Sequence, residues 1–313
     1  MSLVAKRVSR HFVTASRWPL PPEAPIAVDG VDCSIEPGQT LGVVGESGSG
    51  KSTLARLMLG LLAPTSGTVE FDGRRLDRFG RAEWRKFRRS VQPIFQDPRS
   101  SLNWRHSIES IITEPLRNFG AGGDESRRKA GELLEQVRLP TQILRRPTTD
   151  VSGGQLQRVA IARALALDPT YLICDEPLSA LDVSVQAGVL NLLLELQTRR
   201  ELAMMFISHD LEVVRHVSDR VIVMYSGAVM EDAPAVDLYR QPRHPYTQVL
   251  LGRAAPLAED AAAPAVAKDR RGDTRATQCP FVDRCPMRQT ICFEQRPALR
   301  EVVPEHRAAC HFA

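Results

Sequence analysis

Gly45-Glu46-Ser47-Gly48-Ser49-Gly50-Lys51-Ser52-Thr53 satisfies the pattern G-x-x-x-x-G-K-[ST] in full. Its surroundings agree with that pattern. Leu41 to Val44 is a short apolar run of strand character, and the spacing predicts a helix from Thr53 to Leu62. Glycines let backbone N–H groups turn inward around phosphate oxygens, where a side chain would block the approach. The helix N-terminus adds partial positive charge. In such a loop Lys51 reaches the β- and γ-phosphates and the Ser52 hydroxyl ligates Mg²⁺. The whole stretch from Gly45 to Thr53 is therefore expected to cradle a nucleotide.

The 313 residues are 43% hydrophobic, enough for one large domain or two modest ones. No run of 18 apolar residues occurs, and Met1 to Arg10 carries charges where a signal peptide has an apolar core. A soluble protein made in the cytosol is expected, one that can still dock onto a membrane complex. The net charge of +4 is too small to argue for nucleic acid, and no such partner is expected. Cys33 and Cys174 lie in apolar strand-like stretches and read as buried inert thiols. The other four cysteines fall in the last 35 residues, where a cytosolic location favours metal over disulfides.

Residues 1 to 44 alternate apolar runs with turn signals at Pro21-Pro22, Asp29-Gly30 and Pro37-Gly38, which predicts an antiparallel β layer. Thr68 to Phe71 is another strand, closed by Asp72-Gly73. Arg74 to Arg89 holds eight basic residues, either a solvated helix face or a surface for phosphate groups. Val91 to Phe95 has strand character. Ser107 to Pro140 turns helical, with Ile108, Ile111, Ile112, Leu133, Leu134 and Val137 at near-helical spacing, as an inserted helical subdomain spanning about residues 98–155. Strands at Tyr171–Cys174, Met204–Ile207 and Val221–Tyr225 then alternate with helices at Leu156–Leu167, Val185–Arg199 and Leu211–Val217. This alternation predicts a largely parallel sheet covered on both faces. Residues 254–278, rich in Ala and charge, read as a linker.

Two further segments carry chemistry. Tyr171-Leu-Ile-Cys-Asp175-Glu176 is an apolar strand ending in two carboxylates. There Asp175 can hold Mg²⁺ beside the phosphates and Glu176 can act as general base on the attacking water. Ser152-Gly153-Gly154-Gln155 precedes a helix and repeats the physics of the first loop: glycines, a hydroxyl and a helix N-terminus facing an anion. One nucleotide does not need two such cradles from one chain. Two chains head to tail would set this loop over the partner's γ-phosphate; the bland alternative is a glycine turn capping a helix.

At this point the chain resembles the ATP-binding subunit of an ABC transporter, over roughly residues 3–250. The resemblance implies that Phe12 stacks on adenine. It also implies that Gln96, in Phe-Gln-Asp-Pro, senses Mg²⁺ and the attacking water, and that Val151 to Gln155 is the family signature, with Val where Leu is usual. Asp182, in Ser179-Ala-Leu-Asp, would act across the dimer, and His209 would be the switch histidine at the γ-phosphate. Ser100-Ser-Leu-Asn103, Glu114-Pro-Leu116, Asp182-Val-Ser-Val-Gln186 and His244-Pro-Tyr-Thr247 are similar to the peptide/nickel (oligopeptide and dipeptide) importer subgroup. Trp104 stands where that subgroup commonly has Pro, near the expected contact with the membrane subunit.

Cys279, Cys285, Cys292 and Cys310 are spaced x5, x6 and x17. The lack of a C-x₂-C pair weakens a zinc ribbon, and the run is not the common ferredoxin spacing either. Four thiolates suit zinc or a [4Fe–4S] cube on count alone. In the peptide importer subgroup similar tails follow the His-Pro-Tyr segment, and some members carry an iron–sulfur cluster there. The cluster is favoured over zinc, with unliganded thiols as the third reading; His306 and His311 could each substitute for a ligand.

The expected architecture is α/β: a phosphate-loop ABC ATPase domain over residues 1–253 with an antiparallel β layer, the inserted helical subdomain, the linker, and a short cysteine-rich extension over 279–313. The resemblance implies an ATPase using ATP and Mg²⁺ to power import of small peptides. It would sit peripherally at the cytoplasmic face of the membrane with permease subunits, a second ATPase subunit and an extracytoplasmic substrate-binding protein. The alternatives are a nickel-chelate importer, or an accessory ATPase of a soluble metabolic complex such as one for phosphonate breakdown. A soluble ATPase acting on DNA or ribosomes would show fused cassettes or a long coiled coil, and neither is present in the sequence.

Overall fold

The computed structural model describes residues 2–12, 26–253 and 277–313. Strands β1 (Leu3–His11) and β2 (Ile26–Ile35) pair antiparallel, with Leu3 opposite Ile35 and Ala5 opposite Cys33. The β3 strand (Thr40–Val44) leaves them for a second sheet and runs into the glycine loop, which opens helix α1 (Lys51–Met58). Next, β4 (Ser66–Phe71) and β5 (Arg74–Arg75) complete the first sheet in the order β2-β1-β4-β5. Asp72 and Gly73, at φ 52° and 74°, form the two-residue turn between them, since a hairpin of this length needs left-handed backbone. The expected Pro21-Pro22 turn and residues 254–276 of the expected linker lie outside the described residues.

Helix α2 (Arg81–Ser90) and strand β6 (Val91–Ile94) lead into the helical subdomain of α3 (Pro98–Ser101), α4 (Ile108–Asn118), α5 (Gly123–Gln136) and α6 (Gly153–Leu165). The order then continues with β7 (Tyr171–Asp175), α7 (Val183–Arg200), β8 (Ala203–Ile207), α8 (Leu211–Val217), β9 (Arg220–Tyr225), β10 (Ala228–Pro234), α9 (Ala235–Arg240) and α10 (Pro245–Leu250). The extension adds α11 (Thr290–Glu294), β11 (Arg300–Val303) and β12 (His306–Ala308). The second sheet runs β11-β12-β10-β9-β3-β8-β7-β6. Its β9, β3, β8, β7 and β6 strands are parallel, and β10, β12 and β11 are antiparallel additions at one edge.

The continuous apolar runs of the central strands follow from burial on both faces. In β8, Met204 and Phe206 enter the core shared with the helical subdomain, while Ala203, Met205 and Ile207 enter the core beneath the antiparallel sheet. The β7 strand divides in the same way, Leu172 and Cys174 on one side and Tyr171 and Ile173 on the other. Cys33 and Cys174 are buried thiols, both pushed up to about 12 by burial, which keeps them protonated and inert.

The basic stretch around α2 is mostly partnered. Arg74 pairs with Glu83, Arg75 with Asp77 at 2.6 Å and Lys86 with Asp72 at 3.0 Å. Arg85 lies over the Phe119 ring at 4.6 Å and Arg88 over Trp84 at 5.4 Å. This arrangement is a solvated face with a packed aromatic side, Phe87 being buried against Phe71 and Trp84.

The extension is built into the second sheet. In the β10–β12 pairing, Glu231 lies opposite Ala308 and Asp232 opposite Arg307. Both acidic side chains are buried and both are paired. Asp232 accepts from Arg220 Nε at 2.6 Å and also pairs with Arg307 of β12. Glu231 accepts the Arg243 N–H at 2.7 Å and the His244 N–H at 2.9 Å, and lies 2.6 Å from His306 Nε2. Leaving one such buried group alone costs about 3–5 kcal/mol, so these contacts tie the extension to the cassette.

Candidate active site

Gly45, Gly48 and Gly50 take φ of 151°, 81° and 103°. At two of them a side chain has no room. A Cβ on Gly45 would meet the Met224 carbonyl oxygen at 2.2 Å, and one on Gly50 the Ala27 carbonyl oxygen at 2.1 Å. The loop is thus wedged between backbone segments that cannot yield cheaply. Gly50 is the N-cap of α1, so the helix begins at Lys51 rather than Thr53, and it ends at Met58, before Gly60 at φ 64°. Ser52 and Thr53 therefore lie in its first turn.

Lys51 is buried at 4% exposure, and its ammonium donates to the carbonyls of Gly45 at 2.8 Å and Glu46 at 2.9 Å. Burial lowers its pKa, while Glu176, Asp175 and Glu46 oppose the shift. The Ser52 hydroxyl donates to Asp175 Oδ1 at 2.9 Å. Burial raises the Asp175 pKa, and the Ser52 bond works against that rise. One residue on, Glu176 sits at φ 46°, left-handed backbone that a residue other than glycine adopts at some cost. The conformation is held by the Glu176 N–H donating to the Ile207 carbonyl at 3.0 Å.

Two side chains from other strand ends meet this carboxylate. Gln96 Nε2 donates to Glu176 Oε2 at 3.1 Å, and His209 Nδ1 lies 3.4 Å from the same oxygen. Gln96 follows β6, Asp175 ends β7, His209 follows β8 and the glycine loop follows β3. All four therefore gather at the carboxyl ends of neighbouring parallel strands, where open α/β sheets bind ligands. The expected residues of this group come together without a shared segment of sequence.

The second glycine loop behaves differently. The Ser152 hydroxyl accepts the Gln155 N–H at 3.3 Å, and the Gln155 side-chain oxygen accepts the Ser152 N–H at 2.9 Å, a reciprocal cap that starts α6 at Gly153 rather than Leu156. A Cβ on Gly154 would meet Val185 Cγ1 at 2.4 Å, so that glycine permits α6 to pack on α7. Ser152 is exposed, and so is Asp182 at the N-cap of α7. Phe12 is half-buried with the Arg10 guanidinium 5.0 Å from its ring centre.

Sequence reasoning missed what lies behind the first loop. Tyr246, in the His-Pro-Tyr segment, accepts the Glu46 N–H on its hydroxyl at 3.0 Å. Arg284, from the extension, grips the Glu46 carboxylate with two bonds of 2.7 and 2.8 Å. That bond is the main reason the Glu46 pKa is lowered. The His-Pro-Tyr segment itself was the only visible signal.

Cys279, Cys285, Cys292 and Cys310 line one cavity of about 10 Å³, with His244, His311, Phe281 and Phe312. All four are free thiols, and burial pushes Cys279 up to about 11, with its three neighbours adding to the rise. His311 borders this pocket, whereas His306 is spent on Glu231. The donor set suits a soft metal or cluster. The cavity as it stands holds about one water, and among the described residues no group of three or more His, Cys, Asp or Glu is arranged to hold a metal ion.

Comparison with known proteins gives the same reading. A family profile described as ABC transporter matches residues 28–179, and one described as oligopeptide/dipeptide transporter, C-terminal region, matches 230–292. The chain is 47% identical over 315 residues to a protein of Brucella ovis named as a peptide import ATP-binding protein, covering 98% of this chain and 96% of that one. It is 45% identical over 295 residues to the oligopeptide transport ATP-binding protein AppF of Bacillus subtilis, covering 91% and 89%. Among solved structures it is similar to the dimeric ATP-binding cassette MJ0796 with ADP and Pi, at TM-score 0.66 and 29% identity over 74% of this chain and 98% of that one. It is also similar to cbiO1 of Clostridium perfringens, part of the transporter complex cbiONQ, at TM-score 0.65 and 28% identity over 76% and 90%.

Proposed function

Because the chain belongs to the ABC transporter ATP-binding family, we infer that it hydrolyses ATP to power import of oligo- or dipeptides through separate permease subunits. The observation that carries the chemistry is the meeting of Gln96 and His209 on one oxygen of Glu176, beside the Ser52–Asp175 pair. In this reading the Gly45–Thr53 loop holds the phosphates, with Lys51 exchanging loop carbonyls for β- and γ-phosphate oxygens. Ser52 and Asp175, with Gln96, would hold Mg²⁺, whose charge offsets that of the phosphates. Glu176 accepts the proton of the attacking water, Gln96 orients that water, and His209 donates to the γ-phosphate. Phe12 supplies the face for adenine.

The site is half of a composite. The Ser152–Gln155 loop, with its exposed Ser152, and the exposed Asp182 would meet the γ-phosphate of a second ATPase subunit, completing that subunit's site and receiving the same service in return. A groove of about 250 Å³ lined by Arg99, Leu102, Trp104, Thr148, Val151 and Leu156 lies between the segment after Gln96 and the signature loop, and suits a permease segment. Trp104 is 61% exposed there and offers an apolar contact. Among the described residues no helix is long and apolar enough to cross a membrane, so docking at the cytoplasmic face through such a groove is the proposed mode of attachment. An extracytoplasmic substrate-binding protein would complete the importer. Four thiols on one pocket also support a metal centre in the extension, a [4Fe–4S] cluster ahead of zinc; the cube requires the pocket to widen.

Purification of the intact complex tests the transport reading. Permease chains should co-purify, and vesicles carrying the complex should accumulate a labelled peptide only with ATP. Recovery with soluble metabolic subunits and no membrane chain would replace it with the accessory-ATPase alternative. Iron and zinc analysis of anaerobically purified protein decides the metal: about four irons for a cube, one zinc for the alternative, neither if the thiols are free.

A further inference from the structure

The phosphate loop contains one acidic side chain, Glu46, and the extension contains the cation that engages it. Arg284 reaches both carboxylate oxygens of Glu46 at 2.7 and 2.8 Å, across 238 residues of sequence. The guanidinium is itself held. Its carbon lies 5.6 Å from the Tyr225 ring centre and 5.9 Å from that of Phe281, and it donates to the Tyr225 hydroxyl at 3.5 Å. Phe281 is fully buried, packed against Tyr225 and Tyr246 with ring centres 5.2 Å away in each case. Tyr246 in turn takes the Glu46 N–H, and Lys51 donates to the Glu46 carbonyl. The Ser49 N–H shares that carbonyl at 3.1 Å, so every polar group of Glu46 is occupied, and two of its four partners, Tyr246 and Arg284, come from beyond the region matched by the cassette profile.

We propose that Arg284 is a positioning residue for ATP: the extension sets nucleotide affinity by clamping Glu46. This rests on the reading of Gly45–Thr53 as the ATP cradle. The clamp does two things. A bidentate guanidinium fixes the carboxylate, and with it the second residue of the loop, in one geometry before the nucleotide arrives. It also offsets a negative charge that would otherwise stand beside a triphosphate and compete for Lys51, whose charged form Glu46 already favours. Arg284 touches neither the reacting phosphate nor Glu176 in this account. Its loss should raise KM and leave kcat in place.

The two side chains are 39% and 40% exposed, so solvent screening holds the effect to a modest size. Binding of the fluorescent probe trinitrophenyl-ATP to the full chain, with ATPase kinetics of the complex, reads it out. Arg284→Ala should weaken probe binding about threefold to tenfold and raise KM alike, with kcat and melting temperature near wild type. Arg284→Lys should recover part of the loss, because it restores charge without the fork. Glu46→Gln removes the charge from the loop side and leaves the extension untouched. In that background the clamp has nothing left to grip, and Arg284→Ala should cost nothing further. Unchanged affinity in Arg284→Ala, or the same loss in both Glu46 backgrounds, overturns the clamp. Lys51→Ala separates the two readings: if it binds the probe as wild type, the cradle itself has been misassigned.

Discussion

Two of the glycine loops at helix N-termini, Gly45–Thr53 and Ser152–Gln155, do opposite things with the same residue types. In the Gly45–Thr53 loop backbone crowds Gly45 and Gly50, Lys51 is buried, and Ser52 turns to a buried carboxylate. In the Ser152–Gln155 loop the serine and glutamine side chains each take the other's backbone N–H across a cap, and Ser152 is exposed. In the first, Lys51 and Ser52 are partnered within their own chain. The second is pre-capped, its Ser152 and Gln155 already partnered with one another, which suits the proposed role as half of a shared site. Composition alone does not separate the two loops; the partners of their polar groups do.

Substitutions sharpen that contrast in order of size. Lys51→Ala strips the first loop of its cation and should abolish ATP turnover, by about 10²-fold or more, with nucleotide binding lost in parallel. Ser152→Arg should leave probe binding to the isolated chain intact while lowering turnover of the assembled complex about 30-fold, the scale of losing a central interface contact. Loss of probe binding by the folded Ser152→Arg chain would erase the distinction between the loops. Gly154→Ala, with Val185 in the way, should destabilise the chain by about 1–3 kcal/mol in chemical denaturation, and an unchanged midpoint would mean that α6 and α7 are less closely packed.

The smallest test uses pH. Arg284 depresses the Glu46 pKa below its ordinary value of about 4.3, so the ion pair is complete above that value and is lost only as pH falls through the lowered one. The affinity gap between wild type and Arg284→Ala should therefore be flat from about pH 6 to pH 8. A gap that closes within this window would assign the effect to another titrating group.

Much of this was legible because the chemistry lies in local motifs. The loop, the Asp175-Glu176 strand end, Gln96 and His209 each sit where a strand terminates, and strands buried on both faces announce themselves as apolar runs. Helix starts at Lys51 and Gly153 were less readable, because each depends on a capping geometry, a left-handed Gly50 and a Ser152–Gln155 exchange. Least readable was the extension. Nothing local in Arg284 or Glu46 points to the other, and the buried pairing of Glu231 and Asp232 with His306 and Arg307 is a product of strand order alone.

Glu176→Gln in the intact complex tests the central claim most directly, by phosphate release together with the nucleotide retained. The carboxamide keeps the size and one acceptor oxygen but cannot take a proton. Hydrolysis should fall about 10²–10⁴-fold while ATP binding persists and unhydrolysed ATP stays trapped in the closed ATPase pair. Turnover near wild type in that variant would contradict the account and remove Glu176 from the chemistry.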